Sequence, residues 1–251
     1  MDAETPVSVE RISLLKVPLD IVSQEGLSGK IQELLAGKEN GKNIVLLSLW
    51  DLLRARRNGE YRSFILGAAL VIPISKSLVG GVRFLTGKTP VRYMPFDFII
   101  NLLTILEKRE LSLYILGGKL RVLKKTEKNI RQTFPGLRVV GRYPGTFKRH
   151  EEGTILQAIR KASPSLLLVG KGVHGAERWI AKNNTLLNSG LRLWCSDIFD
   201  VFSERKKRPS RSTFDRGLEW IGFCFRNPLR FFRIFAYFYY KLLLLVYRLF
   251  K

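Results

Sequence analysis

The sequence predicts an α/β fold: a Rossmann-like, mostly parallel sheet with helices on both faces, followed by a basic amphipathic helical appendage. Three observations carry this reading. Short continuous apolar runs alternate with longer segments of helical periodicity. Two of those runs pass straight into glycine turns. After about residue 203 the composition changes to a dense basic linker and then to an aromatic end studded with cations. Strands that stay apolar throughout suit a sheet covered on both faces, not one with a wetted side.

In chain order the apolar runs are "RISLLKV", "NIVLLSL", "ALVIP", "LSLYILGG", "LRVVGRY", "SLLLVGKG" and "LRLWCSD". Each has the length and the β-branched or aromatic content of a strand. Helical patterns fill the intervals at 21–36, 51–66, 76–86, 96–109, 119–133, 151–162 and 174–188. The division expected is an α/β domain over 1–202 and a linker with a membrane-associating helical appendage over 203–251. Ligands of parallel sheets bind beyond the carboxyl ends of the strands. The loops after Leu49, Val71, Leu116, Val140 and Val169 are therefore where chemistry is expected.

The chain has 251 residues, enough for one large domain or two small ones, and 46% of them are hydrophobic, as in a globular protein. Two cysteines, Cys195 and Cys224, and two histidines, His150 and His174, point away from a disulfide scaffold and from a zinc site. The opening "MDAETPVSVE" is acidic and lacks the apolar core of a signal peptide, so a cytoplasmic, reducing compartment is expected. A net charge of +22 calls for an anionic partner: nucleic acid, lipid headgroups or phosphorylated substrates. No nucleic-acid module is present in the sequence, and the aromatics gather in the tail, so nucleic acid is not expected.

The tail, "RFFRIFAYFYYKLLLLVYRLFK", chooses among the rest. On a helix, Arg226, Arg230, Arg233, Lys241 and Arg248 fall within a stripe roughly 80° wide, and the remaining circumference is Phe, Tyr, Leu, Ile and Val. A spanning helix would bury Lys241 near its middle at a cost of several kcal/mol. A helix lying in the headgroup boundary of an anionic membrane fits better, with a span or docking on the core as alternatives.

"SLLLVGKGVHGAERWI" places Gly170, Gly172 and Gly175 as G-x-G-x-x-G between a strand and a helix, a setting for a nucleotide phosphate at a helix N-terminus. The next strand run ends at Asp197, where a ribose-binding acid is expected. Gly117 and Gly118 form a second glycine turn after a strand.

Taken in order, "RYMPFDF", "YILGG", "FPGLRVVGRYPGTF", "SPSLLLVGKGVHGAERWI", "IFDVF" and "GLEWIGFCFRNPLRFFR" resemble the WecG/TagA/CpsF family of bacterial glycosyltransferases over about residues 10–235. The resemblance implies an α/β enzyme held peripherally at the cytoplasmic face of the bacterial cytoplasmic membrane. It implies transfer of an N-acetylhexosamine, such as N-acetylmannosamine, from a UDP-sugar to a polyprenyl-diphosphate-linked sugar during cell-envelope polysaccharide synthesis. No metal or cofactor is expected, and a homo-oligomer is compatible. The binding residues implied are Ser48, Arg92, Asp97, Gly117, Gly118, Gly145, Gly170, Gly172, Glu177, Arg226, Arg230 and Arg233. Transfer from UDP releases a diphosphate, which guanidinium groups can neutralise once the tail folds over the site.

The sequence departs from the family pattern at ligand-facing loops. Ile74 stands where the family carries the Asp proposed as its base, and Ser75 where it has glycine. Ser48 and Trp50 take the places of a T-x-N, Ala176 that of a glutamine, and Pro95 that of the glycine between Arg92 and Asp97. Isoleucine cannot accept a proton. Catalysis therefore requires a substitute base, for which His174, Asp97, Glu177 and Asp51 are candidates, with His174 and Asp97 preferred. The alternative is a catalytically degenerate member that binds a sugar nucleotide or lipid-linked sugar and acts as a scaffold.

Overall fold

The structure, a computed structural model, describes residues 9–37, 41–173, 175–187, 189–208, 210–217 and 233–250. The chain opens with a hairpin, β1 (Glu10–Leu14) and β2 (Val17–Ile21), and then α1 (Gln24–Ala36). Next come β3 (Lys42–Leu47), α2 (Leu49–Arg57), α3 (Gly59–Leu66), β4 (Leu70–Pro73), α4 (Lys76–Thr86) and α5 (Pro95–Lys108). The second half holds β5 (Ser112–Leu116), α6 (Leu120–Thr133), β6 (Arg138–Tyr143), α7 (Glu152–Ala162), β7 (Leu166–Val169), α8 (Ala176–Lys182) and β8 (Leu191–Trp194). Among the described residues three more helices follow: α9 (Ile198–Phe202), α10 (Arg211–Arg216) and α11 (Arg233–Leu249).

The main sheet is six-stranded and wholly parallel, in the order β4-β3-β8-β7-β5-β6. The expected α/β class, parallel sheet and C-terminal helix are all present. Helices cover both faces because the central strands are apolar on both: all four residues of β7 and all five of β5 are buried. One core cluster lies under α1, α5 and α6, a second under α2, α3, α4 and α11, and a third under α7 and α8.

Three local departures occur, two of them with a physical cause in view. The single expected first strand is a hairpin. Its turn residues Leu15 and Lys16 hold left-handed backbone (φ 51 and 67) without the glycine or asparagine that usually signals such a turn. Arg11 and Asp20, opposite one another in the register, form a bidentate ion pair at 2.7 and 2.8 Å, and Asp20 also accepts from the Val71 N–H at 2.7 Å, fastening the hairpin to β4. The single helix expected over 51–66 is two, because Asn58 ends α2 and its side chain accepts from the Tyr61 N–H at 3.0 Å to start α3. The helix expected over 174–188 is shorter, ending at Lys182.

The tail helix α11 docks. Tyr240 and Leu244 are buried against Leu78, Gly81 and Val82 of α4, and the Tyr240 hydroxyl donates to the Ser77 carbonyl at 3.1 Å. Its other side is an apolar strip facing outward: Phe235, Phe238, Leu242, Leu245 and Leu249. The docked and the outward apolar faces coexist because aromatic and aliphatic residues occupy nearly the whole circumference. Among the described residues no helix is long and apolar enough to cross a membrane.

Candidate functional site

The carboxyl ends of the six strands meet along one edge, and the loops that leave them carry the candidate residues. Connections from β5 and β7 depart in opposite directions along the sheet, so the topological switch point lies between these neighbours. The glycine loops sit there. Gly117 N–H donates to the Tyr143 carbonyl, Gly145 N–H to Gly118, Gly118 N–H to Lys171, and Gly170 N–H to Leu116. A Cβ on Gly117 would lie 2.8 Å from the Gly170 backbone, and one on Gly145 2.8 Å from the Lys171 carbonyl. Gly170 itself is pressed against the Phe199 ring. Gly117, Gly145 and Gly170 are thus buried packing contacts that lock three loops together. Gly118 and Gly172, with φ of 65 and 101, are the more accessible members of the set.

Cations line the same edge. Lys76 opens α4, Lys119 caps α6, and Lys171 follows β7, where it pairs with Asp200 at 3.0 Å. Asp197, expected as a ribose acid, caps α9 and is ion-paired with Lys206 of the linker.

Arg92 and Asp97, both expected as binding residues, lie on one cleft. Both line an open cleft of about 320 Å³ with Gln24, Asn101, Arg211 and Asp215. The Arg92 guanidinium donates to the carbonyls of Ile74 (2.9 Å) and Phe214 (2.5 Å) and stacks on the Phe214 ring at 3.7 Å. The end of β4, where Ile74 stands, is thereby covered by α10 from the basic linker. Lys76 adds bonds to the Asp215 and Arg216 carbonyls at 3.3 and 3.2 Å. Asp97, in the first turn of α5, is exposed and lies 3.6 Å from Arg208.

Ser48 caps α2, and it shares a reciprocal capping box with Asp51. Behind it is a polar network that sequence reasoning missed as a unit. The Tyr61 hydroxyl lies 3.2 Å from Asp51 and 3.4 Å from Glu177, and Arg54 reaches Glu177 at 3.3 Å while stacking on the Tyr61 ring at 4.0 Å. Glu177 is 5% exposed. The void these groups share with Asn43 is about 10 Å³, room for no more than a water, so neither carboxylate meets a sugar there. Glu177 and Asp51 are 126 positions apart in sequence, and only the packing of α3 on α8 joins them.

Burial raises both Glu177 and Asp51 above the ordinary carboxylate range, with Arg54 and the hydrogen bonds opposing it. The folded protein therefore holds these protons more tightly than the unfolded chain. The stability they lend is complete below the unfolded value, about pH 4, and fades as pH rises through the raised folded values. Glu177→Gln removes one of the two titrations, so urea midpoints should show the variant gaining on the wild type as pH rises above about 4. A difference that stays flat with pH would mean Glu177 does not titrate on folding.

His174, Arg226 and Arg230 lie outside the described residues, and Arg233 is placed only as the first residue of α11. No cluster of metal-ligating side chains occurs among the described residues.

A doubly covered parallel sheet, with lysines along its carboxyl edge, α10 of the basic linker over the end of β4 and an amphipathic helix docked on α4, defines a doubly wound α/β protein. The chain belongs to the glycosyl transferase WecG/TagA/CpsF family, whose model matches residues 12–251. Two relatives are N-acetylglucosaminyldiphosphoundecaprenol N-acetyl-beta-D-mannosaminyltransferases of Bacillus. The one from Bacillus spizizenii is 23% identical over 182 residues, covering 72% of this chain and 70% of its own. The one from Bacillus subtilis is 22% identical over the same shares.

Proposed function

We propose that this protein transfers an N-acetylhexosamine, of the N-acetylmannosamine type, from a UDP-sugar to a polyprenyl-diphosphate-linked acceptor in cell-envelope polysaccharide synthesis. It works from the cytoplasmic face of the bacterial membrane, held peripherally by the outward face of α11. The single observation that carries the reading is the family match over residues 12–251, taken with the names of the two Bacillus relatives. In the transfer, an acceptor hydroxyl attacks the anomeric carbon and gives up its proton, the carbon–oxygen bond to UDP breaks, and the diphosphate leaves with one more negative charge to neutralise. The accessible amide of Gly172, with Lys119 and Lys171, is proposed for the donor phosphates, the Gly118 N–H being already spent on the Lys171 carbonyl. Arg92 is assigned to the sugar side, and Arg226, Arg230 and Arg233 to the leaving diphosphate. Among the described carboxylates weighed as substitutes for the missing base at Ile74, Asp97 alone faces an open cleft, beside Arg92. It is assigned the proton of the acceptor hydroxyl, with His174 as the other candidate.

Purified protein given UDP-N-acetylhexosamines and a polyprenyl-diphosphate sugar should release UDP. Asp97→Asn should lower the rate by about 100-fold with little change in UDP binding. One observation favours a second reading. The cover formed by Phe214 over Arg92 and Ile74 suits a degenerate member that binds but does not turn over. UDP binding without release across the whole donor panel would support that reading and end the first.

A further inference from the structure

A second cavity lies away from the Arg92 cleft, between α2 and α11, with a volume of about 560 Å³. That is within the roughly 300–1,000 Å³ range of small-ligand sites. Its walls are Trp50 and Leu53 of α2 and Phe235 and Tyr239 of α11, and two arginines, Arg54 and Arg57, stand along it. Trp50 and Arg57 are seven residues apart on α2, so the groove runs about 10 Å along that helix. Trp50 belongs to the first turn of α2, directly after the carboxyl end of β3, so one end of the groove reaches the edge where the candidate site lies. Its other wall borders the outward strip of α11: Phe235 belongs to that strip, and Tyr239 beside it is exposed too. The charges are unequal. Arg54 is partly neutralised by Glu177, whereas Arg57 stacks on Tyr239 at 6.0 Å and has no carboxylate at ion-pair distance among the described residues.

An apolar channel that begins at the site edge, opens onto an apolar outer strip and carries arginine charge has the shape of an amphiphile's binding path. We propose that this groove binds the first isoprene units and the phosphate of a polyisoprenyl phosphate or diphosphate. The chain lies against Trp50, Leu53 and Phe235, and Arg57, assisted by Arg54, faces the phosphate. With its phosphate at Arg57, about 10 Å along α2 from the site edge, such a ligand is held apart from the transfer site, so the groove is a lipid-phosphate site in its own right, beyond the function proposed above. Sugar nucleotides are the weaker fit, because the walls offer two arginines and Asn58 but otherwise hydrocarbon and aromatic surface.

The test uses the full-length protein, free of vesicles and detergent, with farnesyl diphosphate as the probe and calorimetric titration as the readout. Farnesyl diphosphate should bind at least tenfold more tightly than inorganic diphosphate or farnesol. Ala236→Trp, which fills the groove from the α11 side, and Arg57→Glu should each weaken it at least tenfold. Both should leave UDP binding unchanged and retain the wild-type circular dichroism spectrum. Leu242→Glu/Leu245→Glu, on the outer strip but outside the groove, should keep farnesyl diphosphate binding even as membrane binding is lost. Binding indifferent to Ala236→Trp and Arg57→Glu overturns the groove. So does UDP competing with farnesyl diphosphate there, or a simple alkyl phosphate binding equally well and just as sensitive to both substitutions. Should Arg57→Glu unfold the protein, Arg57→Gln serves in its place. Retained farnesyl diphosphate binding in a protein that releases no UDP would remove the transferase reading and leave the groove standing.

Discussion

Leu242→Glu/Leu245→Glu protein should stay at the bottom of a flotation gradient with anionic vesicles that carry the wild-type protein upward. Six apolar side chains at the end of the chain, Phe235, Phe238, Leu242, Leu245, Leu249 and Phe250, are between 52% and 88% exposed. Immersing what is exposed of each is worth about 1 kcal/mol, so the strip supplies about 6 kcal/mol of partitioning, roughly 10⁴-fold. Two glutamates remove about a third of that, and each new anion also meets an anionic surface at a cost of about 1 kcal/mol. The combined loss, about 4 kcal/mol, is on the order of a thousandfold in partition. Both positions face away from Tyr240 and Leu244, so docking on α4 and the thermal midpoint should survive. Alkaline carbonate should strip the wild-type protein, as it does any helix that lies on a bilayer without crossing it. Flotation of the double variant at the wild-type level would place the attachment elsewhere in the chain.

Gly117→Ala should cost about 3–5 kcal/mol in a urea denaturation, the sum of a strained backbone and an overpacked contact. Gly117 has φ of 134, where an L side chain is strained whatever the space, and its new methyl would stand 2.8 Å from the Gly170 backbone. Neither neighbour is the end of a flexible chain, so the loops after β5 and β7 must separate. Their separation breaks the bonds that join Gly117 to Tyr143 and Gly170 to Leu116, and the edge that carries Lys119 and Lys171 loses its shape with them. UDP binding should weaken in parallel. Gly80→Ala is the control. It lies inside α4 with nothing within 4 Å of the added carbon, and there the protein should become more stable by about 0.5–1 kcal/mol. A Gly117→Ala protein as stable as wild type would mean the three loops are not interlocked.

How far the site was legible can be read from these glycines. Their spacing after apolar runs located the loops correctly, because a strand followed by a tight turn leaves a local mark on the sequence. Their use was not legible. Gly170 and Gly172 satisfy a phosphate-binding spacing, yet Gly170 is spent on contact with Phe199, from the helix after β8, and with the β5 loop. The hairpin at Leu15 and Lys16 went unseen because its left-handed turn uses residues that usually avoid that conformation, held by an Arg11–Asp20 pair nine positions apart. Arg92 and Asp97 were legible as a local pair and do share a cleft. Their cover, Phe214, was not, being 122 positions from Arg92.

The sequence by itself determined the class of fold, the alternation of strands and helices, the glycine turns after two of the strands and the broad apolar circumference of the tail. All of these are properties of short windows: periodicity and turn residues. The tertiary structure alone decided which carboxylates are spent in the interior and which meet a cleft, and which face of α11 is docked and which is free. Glu177 and Asp51 look as available in sequence as Asp97 does. Burial, which depends on every other element being in place, is what separates them. For α11 the helical period marks an apolar circumference but cannot divide it, because the division is made by α4: the surface presented by Leu78, Gly81 and Val82 takes Tyr240 and Leu244 and leaves the opposite side chains to the solvent or the lipid.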